Sequence, residues 1–127
     1  MPLLNILQDA GLGVSGSTLF LNMLPSEATQ GILLRNPLRG TDIDYELIDY
    51  YKTQFQLIVR TTGDKLIDGE MEIRAVLKAL TINERQVEDH YFKYCRPHTE
   101  PVVFPISKGN LIEFNVMFDC CFVKHAN

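Results

Sequence analysis

The sequence holds only three cysteines, Cys95, Cys120 and Cys121. An odd number, with no secretory signal in view, argues against a disulfide framework. Adjacent residues of a strand point to opposite faces, so Cys120 and Cys121 cannot grip one metal as a CxxC pair does. All three read as small buried hydrophobes. Long apolar runs are missing too. Stretches such as Ile32–Leu34 and Cys120–Val123 fall far short of the roughly 20 residues that a membrane-spanning helix needs. The opening Met1-Pro2-Leu3-Leu4-Asn5 has no basic n-region, and Gln8 and Asp9 interrupt any apolar core, so no signal peptide is expected and the protein should act where it is made. A basic cluster is absent as well. Net charge is −4, and residues 41–72 hold eight acids against three bases. Such a chain lacks the electrostatic footprint of non-specific nucleic-acid binding.

What is present fits one ordinary domain. The 127 residues are 46% hydrophobic and 22% charged, with 8 Gly and 6 Pro, which excludes collagen-like, coiled-coil and wholly disordered chains. A chain of this length buries about two thirds of its unfolded surface, enough for one core. We therefore read residues 1–127 as a single domain.

Periodicity then supplies the elements. Leu3, Ile6, Leu7 and Ala10 mark one helical face after Pro2, and Gly11 marks its end. Residues 18–23 and 31–35 read as strands. Residues 51–60 alternate, with Tyr51, Thr53, Phe55, Leu57 and Val59 on one side and Lys52, Gln54, Gln56, Ile58 and Arg60 on a mostly wet side. A turn over Thr61–Asp64 leads to the main helix, which runs to about Leu80. Gly69 inside it lowers helix propensity by about 1 kcal/mol relative to Ala, which points to close packing against the sheet. Residues 81–90 read as a connector and 91–95 as a short strand. Pro101 and Pro105 confine Val102–Phe104 to an edge, turn or extended arm. The last strand places Ile112, Phe114, Val116, Phe118, Cys120 and Phe122 on one face and Glu113, Asn115 and Asp119 on the other. The fold class expected is α+β: a mostly antiparallel or mixed sheet packed by one long and one short helix.

No motif carries chemistry. Gly11-x-Gly13-x-x-Gly16 spells a dinucleotide fingerprint, but a helix precedes it and a strand follows, the reverse of what phosphate binding requires. Asp42, Asp44 and Glu46 space like the first ligands of a calcium loop, yet Leu47 and Thr53 stand where that loop needs Gly and Glu. The histidines, His90, His98 and His125, lack HExxH spacing, and GxSxG is absent. A Cys95–His98 dyad has neither favourable placement nor an identifiable oxyanion donor. No catalytic residue, metal or cofactor is expected. Polar and aromatic residues in the loops, Arg39, Tyr45, Tyr50, Tyr51, Arg96, His98 and Glu100 among them, suit an interface better than a reaction.

An ordered set of segments is familiar: Met23-Leu-Pro25; Gly31 to Asp44; Phe55 to Arg60; Lys93 to Val103; and Gly109 to Phe114. Together they resemble the small tail terminator proteins of long-tailed bacteriophages, often labelled tail completion or minor capsid proteins. The resemblance implies a non-enzymatic α+β subunit that forms a six-membered ring with itself on the head-proximal end of the tail tube. Its implied partners are the tail tube protein and a head–tail connector or neck protein. DNA would pass through the lumen without specific binding, and no membrane is involved. The implied location is the virion neck, reached from the host cytoplasm during assembly. On that basis the 39–49 loop and the 96–108 arm supply subunit or tube contacts, with Arg39, Asp42, Asp44, Tyr45, Arg96, His98 and Glu100 as interface candidates. Rival readings are another neck component, such as a head completion or connector adaptor protein, and a small ligand-binding domain.

Overall fold

The computed structural model describes residues 2–13, 19–21, 31–35, 42–43, 50–106 and 110–124. The chain begins with helix α1 (Pro2–Asp9), whose Leu3 and Leu7 are buried. It ends in a Schellman arrangement. The N–H of Gly11 donates to Gln8 O and that of Leu12 to Leu7 O, both at 3.0 Å, while Gly11 takes φ 75°. A left-handed residue after the last turn is what satisfies those carbonyls, and glycine adopts it without steric cost.

Strands β1 (Leu19–Leu21), β2 (Gly31–Arg35), β3 (Asp42–Ile43) and β4 (Tyr50–Thr62) follow. A single 3-10 turn over Gly63–Lys65 leads into helix α2 (Leu66–Leu80), and then come β5 (Ile82–Val87), β6 (His90–Pro97), β7 (Val102–Ile106) and β8 (Leu111–Lys124). The main path of the sheet is β1-β2-β4-β8-β6-β5, with β3 on β4 and β7 on β8. β1 and β2 run parallel; the other pairings are antiparallel. The long central strands pair in one unbroken register from Tyr50↔Val123 to Thr62↔Leu111. Each has two partners along its outer edge: β2 and β3 beside β4, and β6 and β7 beside β8. The sheet is mixed, mostly antiparallel, and two helices pack on it, so the expected α+β class holds.

Both helices lie on one face. Leu3 and Leu7 of α1 and Ile73, Val76 and Leu80 of α2 join Ile32, Leu34, Phe55, Leu57, Val59, Phe92, Phe114, Val116 and Phe118 in one core. Each such side chain, fully removed from water, contributes about 1.5–3 kcal/mol. Phe55 and Phe118, opposite each other on β4 and β8, stack at 4.8 Å and 14°. Gly69 explains itself here: a Cβ on it would stand 2.7 Å from Thr61 Cγ2 and 2.8 Å from Phe114 Cε2, so α2 approaches the sheet closer than any larger residue permits.

Two elements depart from the sequence reading. Residues 81–90 are no connector, since β5 forms a hairpin with β6 through Glu88–Asp89. Its Asn83, Glu84, Arg85 and Gln86 are all exposed, so the strand shows no alternation to read. Glu84 takes φ 50° and drops out of the pairing, which breaks the ladder. Thr61 and Thr62 belong to β4, not to the turn, whereas residues 19–21 of the expected 18–23 strand form β1 and the remainder lies outside the described residues. The Val102–Phe104 segment is an edge strand, one of the options its prolines allow, and the strand runs on to Ile106.

Candidate functional site

The helices leave the second face of the sheet free of any described helix, and β4 and β8 build a polar ladder there. Cross-strand residues share a face, and the register sets Gln54 opposite Asp119 and Arg60 opposite Glu113. Arg60 donates to Glu113 Oε2 from Nε at 2.9 Å, with Nη2 at 2.8 Å from the same oxygen. Gln56 Nε2 donates to Asn115 Oδ1 at 2.9 Å, and Gln54 Nε2 to Asp119 Oδ1 at 2.8 Å. The row ends at the passage from β6 to β7, where His98 Nδ1 lies 2.7 Å from the other oxygen of Asp119.

That passage is a bulge. Pro97 pairs with Phe118 and Val102 with Asn115, so residues 98–101 stand against only Val116 and Met117 of β8. The His98 N–H donates to Met117 O at 2.7 Å and keeps the ladder attached. The bulge sorts the side chains. Arg96, opposite Asp119, shares the polar face, and its guanidinium carbon sits 4.3 Å above the Tyr94 ring. Glu100 instead reaches Arg74 of α2, Nη1 to Oε2, at 3.0 Å. Burial works against the charge on Asp119, but the hydrogen bonds from Gln54 and His98 and the nearby Arg96 outweigh it and hold the carboxyl below its ordinary value.

Of the seven candidate residues, Arg96 and His98 therefore meet around Asp119, whereas Glu100 is turned away into an exposed pair with Arg74. Asp42 lies in β3, its backbone opposite Lys52. Arg39, Asp44 and Tyr45 lie outside the described residues. The ladder residues Gln54, Gln56, Arg60, Glu113 and Asn115 were not singled out from sequence as a site. Alternation had placed them on a wet side, but only the β4–β8 register joins the two rows.

Nothing in this arrangement performs a reaction. Cys95 lies on the core face, fully buried, while His98 serves the polar face, so the two form no dyad. The hydrogen bond with Cys120, together with burial, pushes the Cys95 thiol far above its usual range, which leaves it inert. Among the described residues no group of His, Cys, Asp and Glu has the arrangement to hold a metal, and no described helix is long and apolar enough to cross a membrane. The face offers instead a broad surface of hydrogen-bonding and aromatic groups, continued at the sheet edge by Val102 and Phe104, which are 48% and 50% exposed. Such a mixture suits contact with other proteins.

Residues 6–123 match the family described as bacteriophage tail terminator protein. The chain belongs to this tail terminator family. The family is one of structural virion proteins, not of enzymes, so the protein is a structural component of a phage-like virion. No curated protein matches the sequence. Among solved structures, a chain of the virion of a native gene transfer agent particle is similar, with a TM-score of 0.68, 14% identity, and coverage of 96% of this chain and 92% of that one. At that identity the likeness shows a shared fold. In this tail terminator family member, the fold is thus a two-helix layer on one face of a sheet whose other face carries the polar ladder.

Proposed function

We propose that the protein closes the head-proximal end of the tail tube as a ring of six subunits, stops tube polymerisation and presents the surface to which the head joins. The observation that carries this reading is the tail terminator match over residues 6–123. Its partners in the virion neck are further copies of itself, the tail tube protein and a connector or neck protein, and it reaches them in the host cytoplasm. A head-to-tail interface that closes by rotation produces a ring, and a bound ring offers a different face from the one that accepted it. Blocking the next layer of tube then needs no reaction.

The contacts are assigned to the loops and bulge: Arg39, Asp42, Asp44 and Tyr45 on one side, Arg96, His98 and Glu100 on the other. Arg96 and His98 act from the polar face, and Glu100 acts from the helix side. DNA passes through the lumen of the ring without specific binding, which the net charge of −4 favours.

Tail length decides the reading. Phage assembled without this protein should carry overgrown tubes; tubes of normal length on headless tails would transfer the protein to another neck role. Arg96→Glu and Glu100→Arg should each weaken capping, and intact capping by both would remove these residues from the interface.

A further inference from the structure

Among the described residues, the open edges of the sheet are not alike. The outer edge of β5 presents Asn83, Glu84, Arg85 and Gln86, all exposed, with a left-handed break at Glu84. Charge and irregularity of that kind protect an edge against strand addition. β7 has neither. Val102, Val103 and Phe104 are 48%, 47% and 50% exposed, and among the described residues β7 pairs with β8 alone. The second edge of this type is β1, which pairs with β2 alone among the described residues and exposes Leu21 at 43%.

These two apolar edges close the same half of the sheet from opposite sides. One row runs straight across it through Leu19, Ile32, Val59, Phe114 and Val103, and the next through Phe20, Leu33, Ile58, Asn115 and Val102. β1 is parallel to β2, and three antiparallel steps separate β2 from β7, so β1 and β7 run in opposite directions. A neighbouring copy that keeps the same strand direction therefore sets its β1 antiparallel to this β7. Faces match when Phe20 of one copy stands opposite Val102 of the other and Leu19 opposite Val103, because each pair then lies on one side of the sheet. Pro101 and Pro105 lack the N–H that an added strand would need, which confines the junction to Val102–Phe104 between them.

From this match we infer that β7 of one copy receives β1 of the next, so that the sheet continues from subunit to subunit. The occupant is a second copy of this chain, because one molecule carries both halves of the junction on opposite sides. An interface of that kind is head-to-tail and repeats until rotation closes it. The prolines at either end keep the exposed edge too short to recruit long strands, the way a protein with an open edge stays soluble before assembly. This inference rests on the ring proposed above and names the surface that forms it.

The test uses Val103→Lys and Leu21→Lys in the full chain, followed by light scattering coupled to size exclusion and by negative-stain images with and without tail tubes. Both sites are near half exposed, so the lysines should leave the monomer's melting temperature unchanged. A lysine placed in an apolar junction should raise the concentration needed for ring assembly by about tenfold or more. An equimolar mixture has one intact β1 edge and one intact β7 edge, so it should stop at dimers. Rings from either lysine variant at the wild-type concentration would overturn the edge pairing while leaving the ring itself standing. A wild-type protein that forms no ring, free or on tubes, would overturn the ring reading and the pairing with it. If a lysine variant fails to fold, Phe20→Cys with Val102→Cys in one chain provides the second measurement: oxidation should give a covalent ladder of multimers, and monomers alone would overturn the pairing.

Discussion

Gly69→Ala puts the contact between α2 and the sheet to the test, because two effects of similar size oppose each other there. In an exposed helix the substitution would stabilise by about 1 kcal/mol, since alanine gives up less backbone entropy. Here the new methyl would stand 2.7 Å from Thr61 Cγ2 and 2.8 Å from Phe114 Cε2. Neither neighbour has room to yield: Thr61 is 2% exposed and branched at Cβ, and Phe114 is 2% exposed in the core. Overpacking of this kind costs about 1–3 kcal/mol. Two close contacts at once place the cost at the upper end, so the net loss should be about 1–2 kcal/mol. Urea denaturation followed by circular dichroism gives the difference directly, and the melting temperature should fall by roughly 3–6 °C for each kcal/mol. Thr61→Ser removes one of the two obstructing atoms, so in that background the loss should shrink. A Gly69→Ala protein more stable than the wild type would show that α2 does not sit as close to the sheet as described.

Gly11→Ala should also destabilise, by about 1 kcal/mol, though it meets no atom within 4 Å, because the cost lies in the φ of 75° alone; an unchanged melting temperature would refute the helix stop. Asp119→Asn removes a carboxylate whose folded pKa is depressed below its ordinary value. The stability that this depression confers is present above the unfolded pKa, about 3.9, and is lost as pH falls through the lower folded value. The gap between wild type and Asp119→Asn should therefore narrow on acidification from neutral pH, and a gap that stays constant would dissociate Asp119 from the acid limb. Cys95, Cys120 and Cys121 are each at most 2% exposed. A thiol reagent should leave them unmodified until denaturant is added, and rapid labelling of the native protein would contradict their burial.

Much of the fold is legible where one side of an element is wet and the other dry. The alternation of Phe55, Leu57 and Val59, and of Phe114, Val116, Phe118 and Cys120, marks β4 and β8 because the helices cover one face only. Even there Ile58 is buried on the face read as wet, as are Leu33 and Cys121, since the centre of a sheet shields both its sides. β5 was illegible for the converse reason: with four consecutive exposed polar residues it is held by hairpin pairing with β6, and its sequence carries no period. Strand order was beyond reach because alternation gives faces and not neighbours. The same limit hid the polar ladder. Arg60 and Glu113 lie 53 positions apart, and only the register makes them partners. Arg96 and His98 were picked out as interface candidates, but Asp119, which His98 contacts and Arg96 faces, was placed merely on the outer face of a strand.

The central claim, that this tail terminator family member ends tube growth, is tested most directly by polymerising purified tail tube protein with and without it. The account predicts tubes that stop lengthening once the protein is added, each bearing a ring at one end in negative-stain images. Tubes that reach the same length in both samples, with bare ends, would contradict it.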